Sequence, residues 1–123
     1  MDARQNLATS HTWKVAQQIL PFIIENFADE ISLEDMAAQV GLSKFRFCRK
    51  FAGECGISPI KWLWHFRVLL AREFIAIDPR WSLTDVAFAC GFTSSAHFSR
   101  SFRKAFGTCP TRYRARLIIK GGG

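Results

Sequence analysis

Apolar positions along this chain recur at helical rather than strand spacing, and start and stop signals cut the recurrence into short segments. Val15, Ile19, Phe22, Ile23 and Phe27 mark one side of a first helix over about 13–27. Pro21 falls inside it, where a missing N–H and a ring clash predict a kink or break. Residues 1–11 are polar and read as frayed. Ser32 then stands as an N-cap with Asp35 in the third helical position, opening a short helix that stops at Gly41. Ser43 caps a helix over about 44–55, stopped by Gly56. Ser58-Pro59 puts proline at a first helical position and opens a long helix to about Ile77, closed by Asp78-Pro79. Ser82, with Asp85 three residues on, opens a short helix ending at Gly91. Thr93 or Ser94 begins another over about 95–106, ending at Gly107. Cys109-Pro110 starts a last helix through about Leu117, and Gly121-Gly122-Gly123 reads as a flexible end.

The recurrence is an internal repeat. A shift of 50 lays Ser32, Leu33, Asp35, Ala37 and Gly41 on Ser82, Leu83, Asp85, Ala87 and Gly91. A shift of 51, with one extra residue in the second turn, lays Phe47, Arg49, Phe51, Gly56 and Pro59 on Phe98, Arg100, Phe102, Gly107 and Pro110. Each copy is a short helix, a tight turn, a second helix, a glycine stop and a proline start. Ala37 and Ala87 are small enough for a second helix to cross close by. Gly41 and Gly91 can take the left-handed conformation that turns the chain, and Leu42 and Phe92 follow as inward-packing turn residues. That is helix-turn-helix construction. The expected fold is all-α with about seven helices: an N-terminal helix-turn-helix subdomain (1–57), a linker helix (58–78) and a C-terminal helix-turn-helix subdomain (79–123).

Stepping 100° per residue along the two second helices separates their faces. Phe47, Cys48, Phe51 and Cys55 point inward on the first, and Phe45, Arg46, Arg49, Lys50 and Gly53 outward. On the other, Phe98, Phe102, Ala105 and Phe106 point inward, and Ala96, His97, Arg100, Arg103 and Lys104 outward. The outward faces read as basic and free of carboxylates, which suits a phosphate-lined groove. An Arg can donate two hydrogen bonds to guanine, so Arg49 and Arg100 lead the base-reading candidates, with Phe45, Arg46, Ala96 and His97 beside them. Phe45 could pack on a thymine methyl or on a neighbouring helix. Ser43, Lys44, Lys50, Thr93, Ser94, Ser95, Arg103 and Lys104 are the phosphate-binding candidates. A single exposed Arg is usually an ordinary solvated side chain; the same position carrying Arg in both copies argues for more. The linker helix rises roughly 28 Å at about 1.5 Å per residue. That is close to the roughly 34 Å between successive major grooves, so one chain could present both reading helices, bending the DNA where the angle is imperfect.

Composition agrees without deciding. The chain has 123 residues, 49% apolar, with twelve Phe and four Trp, enough for a core in one compact unit or two very small ones. A net charge of +7 favours polyanions, whether DNA, RNA or an anionic membrane. Cys48, Cys55, Cys90 and Cys109 form no C-x-x-C pair, so no metal site is expected, and they read as small buried hydrophobes. With no signal peptide and no long apolar run, the expected place is the cytosol, on the nucleoid, with reduced thiols and no membrane partner.

These motifs resemble the AraC/XylS family of bacterial transcription regulators. The stretches that carry the resemblance are Ile31-Ser32-Leu33-Glu34-Asp35-Met36-Ala37, Val40-Gly41-Leu42-Ser43, and Phe51 with Gly56-Ile57-Ser58-Pro59. The second copy matches more closely, through Leu83 to Ala87, Cys90-Gly91-Phe92, His97-Phe98-Ser99-Arg100, Phe102 to Gly107, and Pro110-Thr111-Arg112-Tyr113-Arg114. The resemblance implies a two-lobed, seven-helix domain that binds asymmetric promoter sites on double-stranded DNA and activates by touching RNA polymerase. It implies no cofactor. It leaves room for an effector-binding domain, which these residues do not supply. Arg67 and Ala71 fit the family pattern, Arg67 as a structural residue. Trp64, Leu69 and Leu70 replace polar residues usual in the linker helix, suggesting either a docking face for another domain or dimer partner, or deeper burial. Cys109 replaces the usual Ser cap. Cys48 and Ala96 are short at positions where longer side chains often touch bases, which leaves Arg100 as the main reader of the second copy. Two other classes compete: a module that binds polymerase or another regulator without DNA, and a thiol-dependent repair enzyme. Cys55 and Cys90 have no His or acid at matching spacing, which argues against any enzyme.

Overall fold

Serine caps set where the helices begin. In the computed structural model, which describes residues 13–122, Ser32 Oγ accepts from Asp35 N at 3.0 Å while Asp35 Oδ2 accepts from Ser32 N at 2.9 Å. This reciprocal capping box holds the Asp35 carboxyl below its usual range, through the Ser32 backbone amide first and its hydroxyl second. Ser43, Ser58, Ser82 and Ser94 likewise accept from the amides of Arg46, Lys61, Asp85 and His97. The helix after the second turn is therefore capped by Ser94, not Thr93. At the last helix the Arg112 backbone amide bonds Cys109 and lowers its thiol, so the sulfur stands in for a hydroxyl cap.

The resulting helices are α1 (Lys14–Asn26), α2 (Leu33–Ala38), α3 (Lys44–Cys55), α4 (Pro59–Ile77), α5 (Leu83–Ala89), α6 (Ser95–Phe106) and α7 (Pro110–Gly122). No strand occurs among the described residues. The expected all-α fold is present, with three local differences. First, α1 runs unbroken through Pro21: buried Val15, Ala16, Ile19 and Ile23 hold both halves of the helix, and Pro21 itself faces outward. Second, α1 starts one residue late, because Trp13 has φ 50°, and it ends at Asn26, whose side chain donates to Phe22 O at 2.8 Å. Third, α7 continues to Gly122, since Leu117, Ile118 and Ile119 contain no helix stop. The frayed segment expected over 1–11 lies outside the described residues, as does Gly123.

Two compact units divide the chain. One comprises Met1–Asn26 and Ile31–Trp62; the other comprises Phe27–Glu30 and Leu63–Gly123. In the first, α1 and α2 both pack on α3. Val15, Ile19, Ile23, Met36, Phe47 and Phe51 are fully buried there, and Phe51 meets Trp62 edge-on at 5.6 Å. In the second, α5 and α7 pack on α6. Its core joins Val68, Ala71 and Ile75 of α4 with Val86, Ala87, Cys90, Phe92, Phe98 and Phe102. Trp64, Leu70, Tyr113 and Leu117 close over that core. Trp64 and Leu70 thus pack against this core while staying half-buried, and Leu69 is half-buried too.

Arg67 is a buried cation whose hydrogen bonds go to backbone. It is 3% exposed, Nε donates to Phe27 O at 3.0 Å, and Nη2 donates to Asp29 O at 2.8 Å. Its guanidinium lies 4.4 Å from the Trp64 ring centroid. Burial pushes its pKa down, though an arginine keeps its charge regardless. Arg67 thus binds the 27–30 segment to the second unit, the structural role expected of it.

Candidate nucleic-acid interface

Each turn places a second helix by the same bonds. Leu42 N donates to Ala37 O at 3.1 Å, and Phe92 N donates to Ala87 O at 2.9 Å. Gly41 and Gly91 sit between at φ 67° and φ 95°, where a side chain would be strained. The buried alanines, 2% and 1% exposed, let α3 and α6 pass close over α2 and α5.

On α3, Phe47 and Phe51 turn wholly inward, and Arg46, Arg49, Lys50 and Gly53 are exposed. Phe45 is 75% exposed, so it does not pack on a neighbouring helix. Lys44 Nζ lies 5.5 Å from its ring centroid. Cys48 and Cys55 are half-buried rather than core residues. Ser43 is exposed at the N-cap.

Two carboxylates reach this ridge, contrary to the acid-free face expected. Glu34 of α2 pairs with Lys44 at 3.3 Å, and Glu54 pairs with Lys50 at 3.2 Å. Glu34's own backbone hydrogen bond, then Lys44, lower its carboxyl pKa. The Glu34–Lys44 pair is exposed, so solvent screens it and it contributes little. Glu54 has a second role: its Oε1 accepts from Val15 N at 3.0 Å, capping the start of α1. A glutamate in the last turn of α3 gave no sequence signal for that long-range bond.

On α6, Ala96, Arg100, Arg103 and Lys104 are exposed, and Thr93, Ser94 and Ser95 are exposed at its start. Ser95 Oγ lies 3.5 Å from Thr84 Oγ1. Arg103 and Lys104 occupy the last turn, where positive charge also favours the helix terminus. Two assignments change. Ala105 is exposed rather than inward, and His97 is turned against other rings rather than outward. Phe106 points inward as expected, half-buried against the core with the Arg72 guanidinium 4.5 Å from its ring centroid. His97 is half-buried, its ring 4.5 Å from Trp64 and 5.2 Å from Phe92 by centroids.

The chemistry offered is multivalent donation. Exposed guanidinium groups at Arg46, Arg49 and Arg100 can each fork onto an acceptor pair, with ammonium and hydroxyl groups around them. Nucleophilic chemistry is not poised at the two cysteines beside glycines. Burial pushes the Cys90 thiol up to about 12, Arg67 offsetting this only in part, and burial also raises Cys55. Among the described residues, no helix is long and apolar enough to cross a membrane.

Known proteins share these features. Residues 36–116 match the model of a helix-turn-helix domain family. The HTH-type transcriptional activator RhaS of Klebsiella pneumoniae (strain 342) is 37% identical over 97 residues, covering 79% of this chain and 34% of that protein. The RhaS of Escherichia coli O139:H28 (strain E24377A / ETEC) is 33% identical over 96 residues, covering 78% of this chain and 34% of its own length. The chain thus spans about a third of the length of these curated relatives. Among solved structures, an AraC-type regulator from Chromobacterium violaceum aligns with TM-score 0.77 at 27% identity, covering 86% of this chain and 94% of that one. The DNA-binding domain of AdpA, solved in complex with a target DNA, aligns with TM-score 0.77 at 29% identity, with the same coverages. Matched over both of its helix-turn-helix copies, this chain belongs to the AraC/XylS family of transcription regulators.

Proposed function

We propose that the chain is a sequence-specific double-stranded DNA-binding transcription regulator, acting as an activator, whose α3 and α6 enter successive major grooves. The observation that carries this reading is the pair Arg49 and Arg100. Both are exposed at the same register of the repeat, each on a helix whose other face is anchored by a buried pair of phenylalanines. Base reading falls to Phe45, Arg46, Arg49, Ala96 and Arg100. Phosphate contacts fall to Ser43, Lys44, Lys50, Thr93, Ser94, Ser95, Arg103 and Lys104. Activation by contact with RNA polymerase, a cytoplasmic location on the nucleoid, and control by an effector-binding domain in a longer polypeptide belong to the same reading; the similarity to RhaS, a transcriptional activator, supports activation.

In vitro selection on random duplex DNA, followed by salt titration on the selected site, tests it. A defined site should emerge, and its affinity should fall steeply with salt, as counterion release requires. No enriched sequence, with binding to a protein partner instead, would favour the interaction-module alternative.

A further inference from the structure

His97 and Arg46 occupy the same register of the repeat, 51 residues apart, but only Arg46 is exposed. The His97 ring is wedged against Trp64 of α4 and Phe92 of the turn, and those two rings meet each other at 5.1 Å. Trp64 is itself backed by the Arg67 guanidinium, which is tied to the carbonyls of Phe27 and Asp29. A continuous stack therefore runs from the 27–30 backbone through Arg67 and Trp64 to the first turn of α6. The His97 amide closes that turn by donating to Ser94 Oγ at 3.1 Å. Backbone and ring are thus both fixed. Burial, then the Arg100 and Arg67 charges, push its imidazole pKa down, as suits a packed neutral ring. A side chain that reads a base must extend from the protein surface into the groove, whereas this one is spent on packing three residues before Arg100.

We propose that His97 is a positioning residue: clamped by Trp64 and Phe92, it sets the angle at which α6 presents Arg100, and it reads no base itself. This rests on the DNA-binding reading above. Its test starts from the site selected by the wild-type chain; if no site is selected, the DNA reading falls and this proposal with it. Given a site, two variants divide the possibilities. His97→Phe keeps a ring and loses the polar nitrogens; His97→Gln keeps polar reach and loses the ring. His97→Phe should keep the same base preferences, with affinity within about threefold of wild type. His97→Gln should lose about tenfold on the selected site, in the range of one misplaced base contact. Its affinity for random DNA should stay unchanged, and any fall in its urea unfolding midpoint should be too small to unfold it under the binding conditions. Three results would overturn the proposal. One is loss of preference at a single base pair in His97→Phe but not in His97→Gln. Another is equal behaviour of the two variants. The third is a loss in His97→Gln that merely follows a lowered unfolding midpoint.

Discussion

Gly41 and Gly91 turn the chain at the same place in the two repeats, in opposite surroundings. A Cβ on Gly41 would meet nothing within 4 Å. A Cβ on Gly91 would overlap the Phe27 carbonyl oxygen and come within 2.8 Å of Arg67 Nε. The first turns of the reading helices differ in parallel. Lys44, Phe45 and Arg46 are all exposed, whereas Ser95, Ala96 and His97 offer two short side chains and a clamped ring. In one copy the turn is open and the helix carries its chemistry outward. In the other the turn is built into the core of its unit, and the helix is held at its first turn. The repeated motif keeps one backbone solution while the two copies differ in what they expose and what they bury.

Alanine at the two glycines breaks this comparison most directly. Gly41→Ala should cost only left-handed strain, about 1–2 kcal/mol. Gly91→Ala should add overpacking of roughly 1–3 kcal/mol to the same strain. Urea unfolding of both variants measures the gap, and equal costs would mean the enclosure of Gly91 carries no energy. Next in size, Arg67→Ala leaves the Phe27 and Asp29 carbonyls without their charged donor, at about 2–3 kcal/mol. In that background Gly91→Ala should cost less than in the wild type, because one of its two obstructions is gone. Such non-additivity is the expected signature of touching residues.

The reading helices are compared by their arginines. Arg49→Ala and Arg100→Ala should each weaken binding to the selected site by about 1–3 kcal/mol and relax preference at one base position. Competition binding against single-base variants of the site checks this. The half read by α3 should keep more specified positions than the half read by α6, since α3 also offers Phe45 and Arg46. If the two halves are equally specified, α6 has readers other than Arg100, and the division of labour fails.

The elements were legible because their signals are local. Serine caps, glycine stops and proline starts lie within a few residues of what they control, so α3 and α4 begin and end where expected. The inward phenylalanines followed from periodicity alone. What stayed hidden depends on residues distant in sequence. Pro21 predicts a break only if its helix stands alone; burial of Ile19 and Ile23 overrides it. Glu54 capping α1, and Trp64 reaching His97, are contacts across 39 and 33 residues that no helical wheel contains. His97 therefore read as outward by its angle, although Trp64 fills the space before it. The departure of Trp64 from the family pattern was visible, but its direction was not. A large apolar residue on a linker helix reads equally as a surface for a partner or as a lid on the chain's own core.

The smallest expected effect tests the anchoring of His97 through pH. Burial, followed by the Arg100 and Arg67 charges, lowers the folded pKa of His97 below the ordinary 6.5. Between the folded and unfolded values the unfolded chain binds more protons, so stability rises with pH across that window. The contribution of a neutral, clamped imidazole is fully present above 6.5 and is lost as pH falls from there toward the folded value. The carboxylates of Asp35 and Glu34 titrate below their ordinary 3.8 and 4.5, in a separate and more acidic window. Urea unfolding at about pH 7.5 and about pH 5.5 should therefore show a drop in the wild type that is smaller in His97→Phe, whose ring holds no proton. An identical drop in both would mean the ring is free to leave Trp64 and Phe92 when it charges. The anchored character of the second reading helix would then be a property of its backbone cap alone.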